Sequence, residues 1–159
     1  MPSIHTFDIF ADYFQFIVQD ASSEDDFGAL WADEAALSMV AVGNAAVAMG
    51  TLRNVVVPVD IHILDGSPAV ALADVDHAVE GAFALPTGQM VVMGCTEYLP
   101  DARRLSIRPG AYRFLYLVSG VHTIKTEWEP ADDHYSLYIW PGQHQPTRVI
   151  KCWKPQAHR

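Results

Sequence analysis

Apolar and polar positions alternate with a period of two over most of the chain. In residues 13–19, Phe14, Phe16 and Val18 share one face while Tyr13, Gln15, Ile17 and Gln19 share the other. That is the spacing of a strand. The same period predicts strands over residues 75–85, 89–98, 111–118, 121–128, 134–140 and 147–153. Turn chemistry bounds them: 86-PTG-88, 99-LPD-101, 108-RPG-110, 119-SG-120, 130-PADD-133 and 141-PGQ-143. Residues 37–42 and 46–52 read as a hairpin around Gly43-Asn44, a recognised two-residue connection. The run 55-VVVPVDIHIL-64 is rich in β-branched residues, but Pro58 cannot donate to a ladder and predicts an edge or a bulge.

One segment departs from this period. In 22-SSEDDFGALWADEA-35, Ser23 is placed to cap a helical turn that carries acids at its start, and Gly28 keeps that turn short. Many strands at regular spacing with a single short helix near residues 23–35 predict an all-β fold, a single antiparallel β-sandwich or flattened barrel. It is expected to span residues 1–153, with 154–159 as a tail.

Composition narrows the class. Half of the 159 residues are apolar, enough for a core in one domain. The uncharged run 35–52 holds Ser38, Gly43, Asn44, Gly50 and Thr51, which suits a hairpin better than a span of about 20 apolar residues. No basic region leads into an apolar run at the start, so the expected location is cytoplasmic. Cys95 and Cys152 stand apart with no CxxC spacing and read as free thiols.

Charge is split along the chain. Residues 1–102 hold 15 acidic residues and one basic residue, Arg53; residues 103–159 hold 4 acidic and 9 basic. The overall net charge is −9. Such an excess of acid repels nucleic acid phosphates and draws in a basic protein partner. The exposed acids Glu24, Asp25, Asp26, Asp33, Glu34, Asp74, Asp76 and Glu80 are therefore the candidate partner contacts.

The densest chemistry lies in 74-DVDHAVEG-81. As a strand it turns Val75, His77, Val79, Gly81 and Phe83 inward and the carboxylates outward. Asp76 and Glu80 then stand about 13 Å apart, too far to share a metal ion or a proton. A helix would bring Asp76, His77 and Glu80 together, but the alternation favours the strand. No HExxH, GxSxG, GxGxxG or phosphate loop occurs. No cofactor or metal is expected, and the protein reads as non-catalytic. Two alternatives stay open. Trp128, Tyr138, Trp140 and Trp153 form a candidate aromatic patch for a small molecule, and His77, His122 and His134 could serve a metal-dependent enzyme. The Pro58 strand and the small-residue hairpin also offer a surface for a homodimer.

Three stretches, 13-YFQFIV-18, 31-WADEA-35 and 51-TLRNVVVPV-59, come in order within the first 65 residues, and 108-RPGAYRFLYLV-118 supplies a late Gly-led strand. They resemble the competence protein J family, inhibitors of the DNA-entry nuclease of competent bacteria. The resemblance implies a small cytoplasmic protein that binds and silences a basic nuclease or toxin. It assigns no contact residue. This chain is longer than the family pattern, and its last third is basic.

Overall fold

The computed structural model describes residues 2–31 and 33–154, and the side chains of Asp33 and Glu34 lie outside that description. Eleven strands form two sheets among the described residues. One sheet has β1 (Ser3–Phe10), β5 (Val56–Ile63), β10 (His134–Pro141), β9 (Gly110–Ser119), β6 (His77–Leu85) and β11 (Arg148–Lys151), in that spatial order. The other has β3 (Val40–Val42), β4 (Ala46–Gly50), β2 (Gln15–Asp20), β7 (Gln89–Gly94) and β8 (Arg103–Ser106). Pairing is antiparallel except between β5 and β10. The architecture is the expected all-β sandwich.

Alternation explains the layers. Inward residues of both sheets, among them Phe16, Val18, Met49, Val59, Val79, Phe83, Phe114, Tyr116, Tyr135 and Leu137, make the central core. Gly81 faces Phe114, and a Cβ there would come within 2.8 Å of that ring. Each sheet also buries its outer face. Helices α1 (Phe27–Leu30) and α2 (Asp33–Ser38) carry Phe27, Leu30 and Ala35 against Ile17, Ala41, Ala48 and Val91. On the six-stranded sheet, Leu64, Val70, Leu72 and Val75 cover Ala78, Leu115, Leu117 and Trp140. Several strands are therefore apolar on both faces, as doubly covered strands must be.

Five expectations change. Two short helices stand where one was expected, and α2 takes Leu37 and Ser38 from the expected strand 37–42. Strand β1 goes unpredicted, because apolar groups fall on both its faces and only Ile9 is buried. Pro58 lies on an interior strand: β5 runs between β1 and β10. It is tolerated because β10 pairs with β5 only from Val59 onward, so one side is still open at the proline. Residues 121–128 are not a strand. Gly120, at φ 72, starts a 3-10 turn over Val121–Thr123, and Thr123 Oγ1 donates to Gly120 O at 2.6 Å. Finally, Asp26 rather than Ser23 caps α1, accepting from Gly28 N at 3.0 Å. Ser23 Oγ donates to Asp25 instead.

Candidate functional site

A groove of about 510 Å³ opens where β2 begins and β4 ends, walled by α2 and the C-terminal segment. Its main apolar lining is Tyr13, Phe14, Trp31, Leu37, Leu52 and Trp153. Three non-glycine residues of the described chain adopt positive φ: Tyr13 at 57, Phe14 at 58 and Met39 at 66 degrees. All three line this groove. The left-handed conformation costs an L-residue roughly 1–2 kcal/mol. Here it leaves Tyr13 and Phe14 67% and 45% exposed, beside Leu37 at 65%. Strain of this kind persists only where neighbouring structure enforces it.

The enforcing contacts are present. Phe14 N donates to Ala11 O at 3.0 Å, and Phe14 O accepts from Thr51 N at 2.9 Å. Met39 O accepts from Gly50 N at 2.7 Å. Behind the groove, Tyr116 Oη donates to Gly50 O at 2.6 Å, and Leu52 N donates to Tyr135 Oη at 3.0 Å. Tyr135 Oη in turn donates to Asp133 Oδ2 at 2.7 Å. Asp133 is fully buried and grips Arg53, with Oδ1 2.6 Å from the guanidinium NH2 and Oδ2 3.1 Å from Nε. Arg53 completes its shell on Glu129 O at 3.0 Å. Burial above all, then the bond to Asp133, pushes the Tyr135 phenol far up, so it stays a donor. Burial does the same to Tyr116.

His77 joins two walls of the groove. It is fully buried. Trp153 N donates to its Nδ1 at 3.0 Å, and its Nε2 lies 2.6 Å from Ser38 O, at the end of α2. Since Nδ1 must accept and a carbonyl can only accept, the ring is the neutral tautomer with its proton on Nε2. Burial holds its pKa below the usual histidine value, offset in part by the Ser38 carbonyl.

The acids singled out by sequence scatter over the molecule and serve different ends. Glu24 and Asp74 are exposed. Asp25 accepts from Asn44 N, Ala45 N and Ser23 Oγ, which fixes the β3–β4 turn. Burial raises its pKa, but those three bonds together outweigh that and hold it below the usual carboxylate value. Asp26 caps α1, and Asp76 accepts from Val121 N at 3.2 Å. Glu80 meets Arg148 at 2.9 Å and Gln145 at 3.0 Å. Asp33 and Glu34 stand on α2, and their side chains lie outside the described residues.

The four aromatics separate likewise. Trp128 is 75% exposed in the loop before β10, whereas Trp140 is 5% exposed with Arg113 over its ring at 5.7 Å. Tyr138 stacks on His62 at 4.2 Å, and Trp153 lines the groove. His134 pairs with Asp60 at 2.7 Å, while His122 is exposed on the 3-10 turn after Gly120. No cluster of three or more His, Cys, Asp or Glu suited to a metal occurs among the described residues. No described helix is long and apolar enough to cross a membrane. Sequence reading missed the Arg53–Asp133 pair, although one signal was there: Arg53 is the lone base among 15 acids.

No family model matches the chain, and no curated protein does. Solved structures do. ComJ from Bacillus subtilis, an inhibitor of the DNA degrading activity of NucA, superposes with a TM-score of 0.60 at 17% identity, over 87% of this chain and 94% of that one. The chain shares the ComJ fold. A structure described as crocagin biosynthetic gene J superposes with a TM-score of 0.62 at 19% identity, over 90% of this chain and 99% of that one. At that coverage the likeness to ComJ takes in both sheets.

Proposed function

We propose that the protein is a non-catalytic binding protein that silences a basic partner, a nuclease or a toxin, through the groove, with the chain's acidic charge drawing the partner in. The observation that carries the binding reading is the strained groove. The fold holds two consecutive aromatics in the left-handed region and leaves both open, so the strain is not repaid by their own burial. A partner that covers them would gain apolar burial at about 25 cal/mol per Å². Exposed aromatics at the centre of a contact are the usual anchors of protein–protein binding.

ComJ supports the nuclease class of partner, and the charge supports its sign. A field from 15 acids against one base over residues 1–102 speeds the approach of a basic protein. Glu24, Asp25, Asp26, Asp33, Glu34, Asp74 and Asp76 are among those 15, and Arg148 offsets an eighth, Glu80. The test is capture of a partner from a lysate of the source cell at low and high salt. Wild type and a Tyr13→Ser, Leu37→Glu variant are compared. The reading expects a basic nuclease or toxin, held less well as salt rises and lost by the variant. Capture that ignores both salt and the variant overturns it.

The groove also favours a second reading, a small-molecule site. Its volume lies within the usual range of ligand pockets, and Trp31 and Trp153 line it. Quenching of tryptophan fluorescence by apolar ligands, abolished by Leu37→Glu, would favour that reading over the first.

A further inference from the structure

One buried side chain, His77, fastens two walls of the groove to each other. After β11 the chain runs past Lys151 and Cys152 to Trp153, whose indole lines the groove while its backbone N–H enters the core to meet His77. On the opposite side of the same ring is Ser38 O, the last residue of α2, the helix that carries Leu37 into the groove. One buried imidazole therefore bonds both groove walls at once. The two bonds make opposite demands: an accepting nitrogen toward Trp153 and a donating one toward Ser38. Only the neutral ring with its proton on Nε2 meets both.

We infer that His77 is a proton-controlled latch on the groove: neutral, it holds Trp153 against α2, and protonated, it releases Trp153. The inference rests on the groove being the binding site. Uptake of a proton from solvent places an N–H at Nδ1, facing the N–H of Trp153. Two donors cannot share a bond, so the Trp153 contact breaks while Nε2–H can keep Ser38 O.

Among the described residues, no charged side chain bonds His77, whose ring meets only Ser38 O and Trp153 N. On β6 the nearest charge is Glu80, which lies on the other face of the strand and is held by Arg148. Asp76 precedes the strand, with its carboxylate on Val121 N. From β9, opposite His77, come Val118 and its neighbours Leu117 and Ser119. The described part of the C-terminal segment carries two bases, Lys151, occupied by Leu72 O, and Lys154. The acids of α2, Asp33 and Glu34, stand at its far end from Ser38. Among the described side chains the protonated ring thus has no anion bonded to it, and moving Trp153 aside is the local way to solvate it. The depressed pKa of the ring agrees with this setting.

The test uses the unbound full chain and nitrogen and amide NMR over pH 7.5 to about 4.5. The expected result has three parts. The neutral ring carries its proton on Nε2. The Trp153 amide and Leu37 shift with the same midpoint as His77, below 6.5. Protection of the Trp153 amide against exchange falls at least tenfold across that midpoint. His77→Gln, which keeps a donor and an acceptor but cannot take the proton, abolishes the coupled shift. Should that variant fail to fold, Trp153→Pro lacks the N–H and is expected to show at pH 7 the Leu37 signals that wild type shows only in acid. A ring protonated on Nδ1 when neutral, a Trp153 amide indifferent to His77 titration, or global unfolding before any groove transition each overturns the latch. None of these readouts involves a partner, so loss of the binding reading at neutral pH would leave the latch result standing, and the reverse.

Discussion

The segment 74–80 and the groove differ in where their chemistry shows. The first carries three carboxylates and a histidine in seven residues, yet in the fold they part company. Asp76 caps a turn, Glu80 pairs with Arg148, His77 enters the core, and Asp74 alone stays exposed without a part in that packing. The groove has almost no charge in its lining, Lys154 apart. It is marked instead by backbone conformation, with Tyr13, Phe14 and Met39 all held at positive φ around one opening. Charge density along a chain measures what is available, and much of it goes to internal bonding. Strain that exposes apolar groups has no internal use and points outward.

The largest effect expected from breaking this contrast is at the support beneath the groove. Arg53→Met leaves Asp133 buried without its ion, at a cost of about 3–5 kcal/mol. Urea denaturation would show it as a large drop in midpoint. Adding Asp133→Leu to that variant is expected to recover much of the loss, since a packed apolar pair avoids the desolvation. No recovery would mean the pair holds the groove in some further way.

Next comes the strain itself. Tyr13→Gly removes a cost of about 1–2 kcal/mol in the fold but adds chain freedom worth about 0.5–1 kcal/mol when unfolded. Its melting midpoint is expected to stay level or rise slightly, while partner affinity falls at least tenfold, about 1.4 kcal/mol. A clear loss of stability would place Tyr13 in the packing rather than at an interface.

The pH response separates the two kinds of titratable group. His77 has a folded pKa below its unfolded value of 6.5, so the unfolded chain takes up this proton first as pH falls. Its contribution is whole above about 6.5 and declines below it, until the folded ring titrates. Asp20 and Asp25 have folded pKa values below 3.8, because hydrogen bonds together outweigh burial. Their contribution is present above that value and lost as pH falls through the folded one. Thermal melting against pH should therefore decline in two stages, and His77→Gln should remove only the first.

The smallest effect belongs to the segment that drew most attention in the sequence. Glu80→Gln is expected to change stability by less than about 1 kcal/mol, because Arg148 is largely exposed. It should leave partner affinity nearly unchanged. A tenfold loss would return 74–80 to the interface.

Much of the sandwich is legible from period alone, since β6, β9 and β10 set their core residues at every second position even though their outer faces are also covered. Strand β1 is not, because an edge strand with little burial has no need of a clean pattern. Residues 121–128 mislead because a short alternation says nothing of Gly120 at positive φ. The site is harder still. Tyr13 and Phe14 read as the start of β2, and no local signal marks them as left-handed; Thr51, 37 positions beyond Phe14, bonds the carbonyl that holds the turn. His77 reads correctly as inward-facing, but its two partners lie 39 and 76 residues away. Such contacts are set by the packing of distant elements and leave no trace in spacing.

The proposed contact surface is the groove rather than the acidic segment. Titrating the chain into a DNA-degradation assay with the nuclease it captures tests this most directly. Inhibition near one equivalent is expected from wild type and from the Asp74→Asn, Glu80→Gln variant, and none from the Tyr13→Ser, Leu37→Glu variant. Full inhibition by the groove variant, with loss in the acidic one, would contradict it.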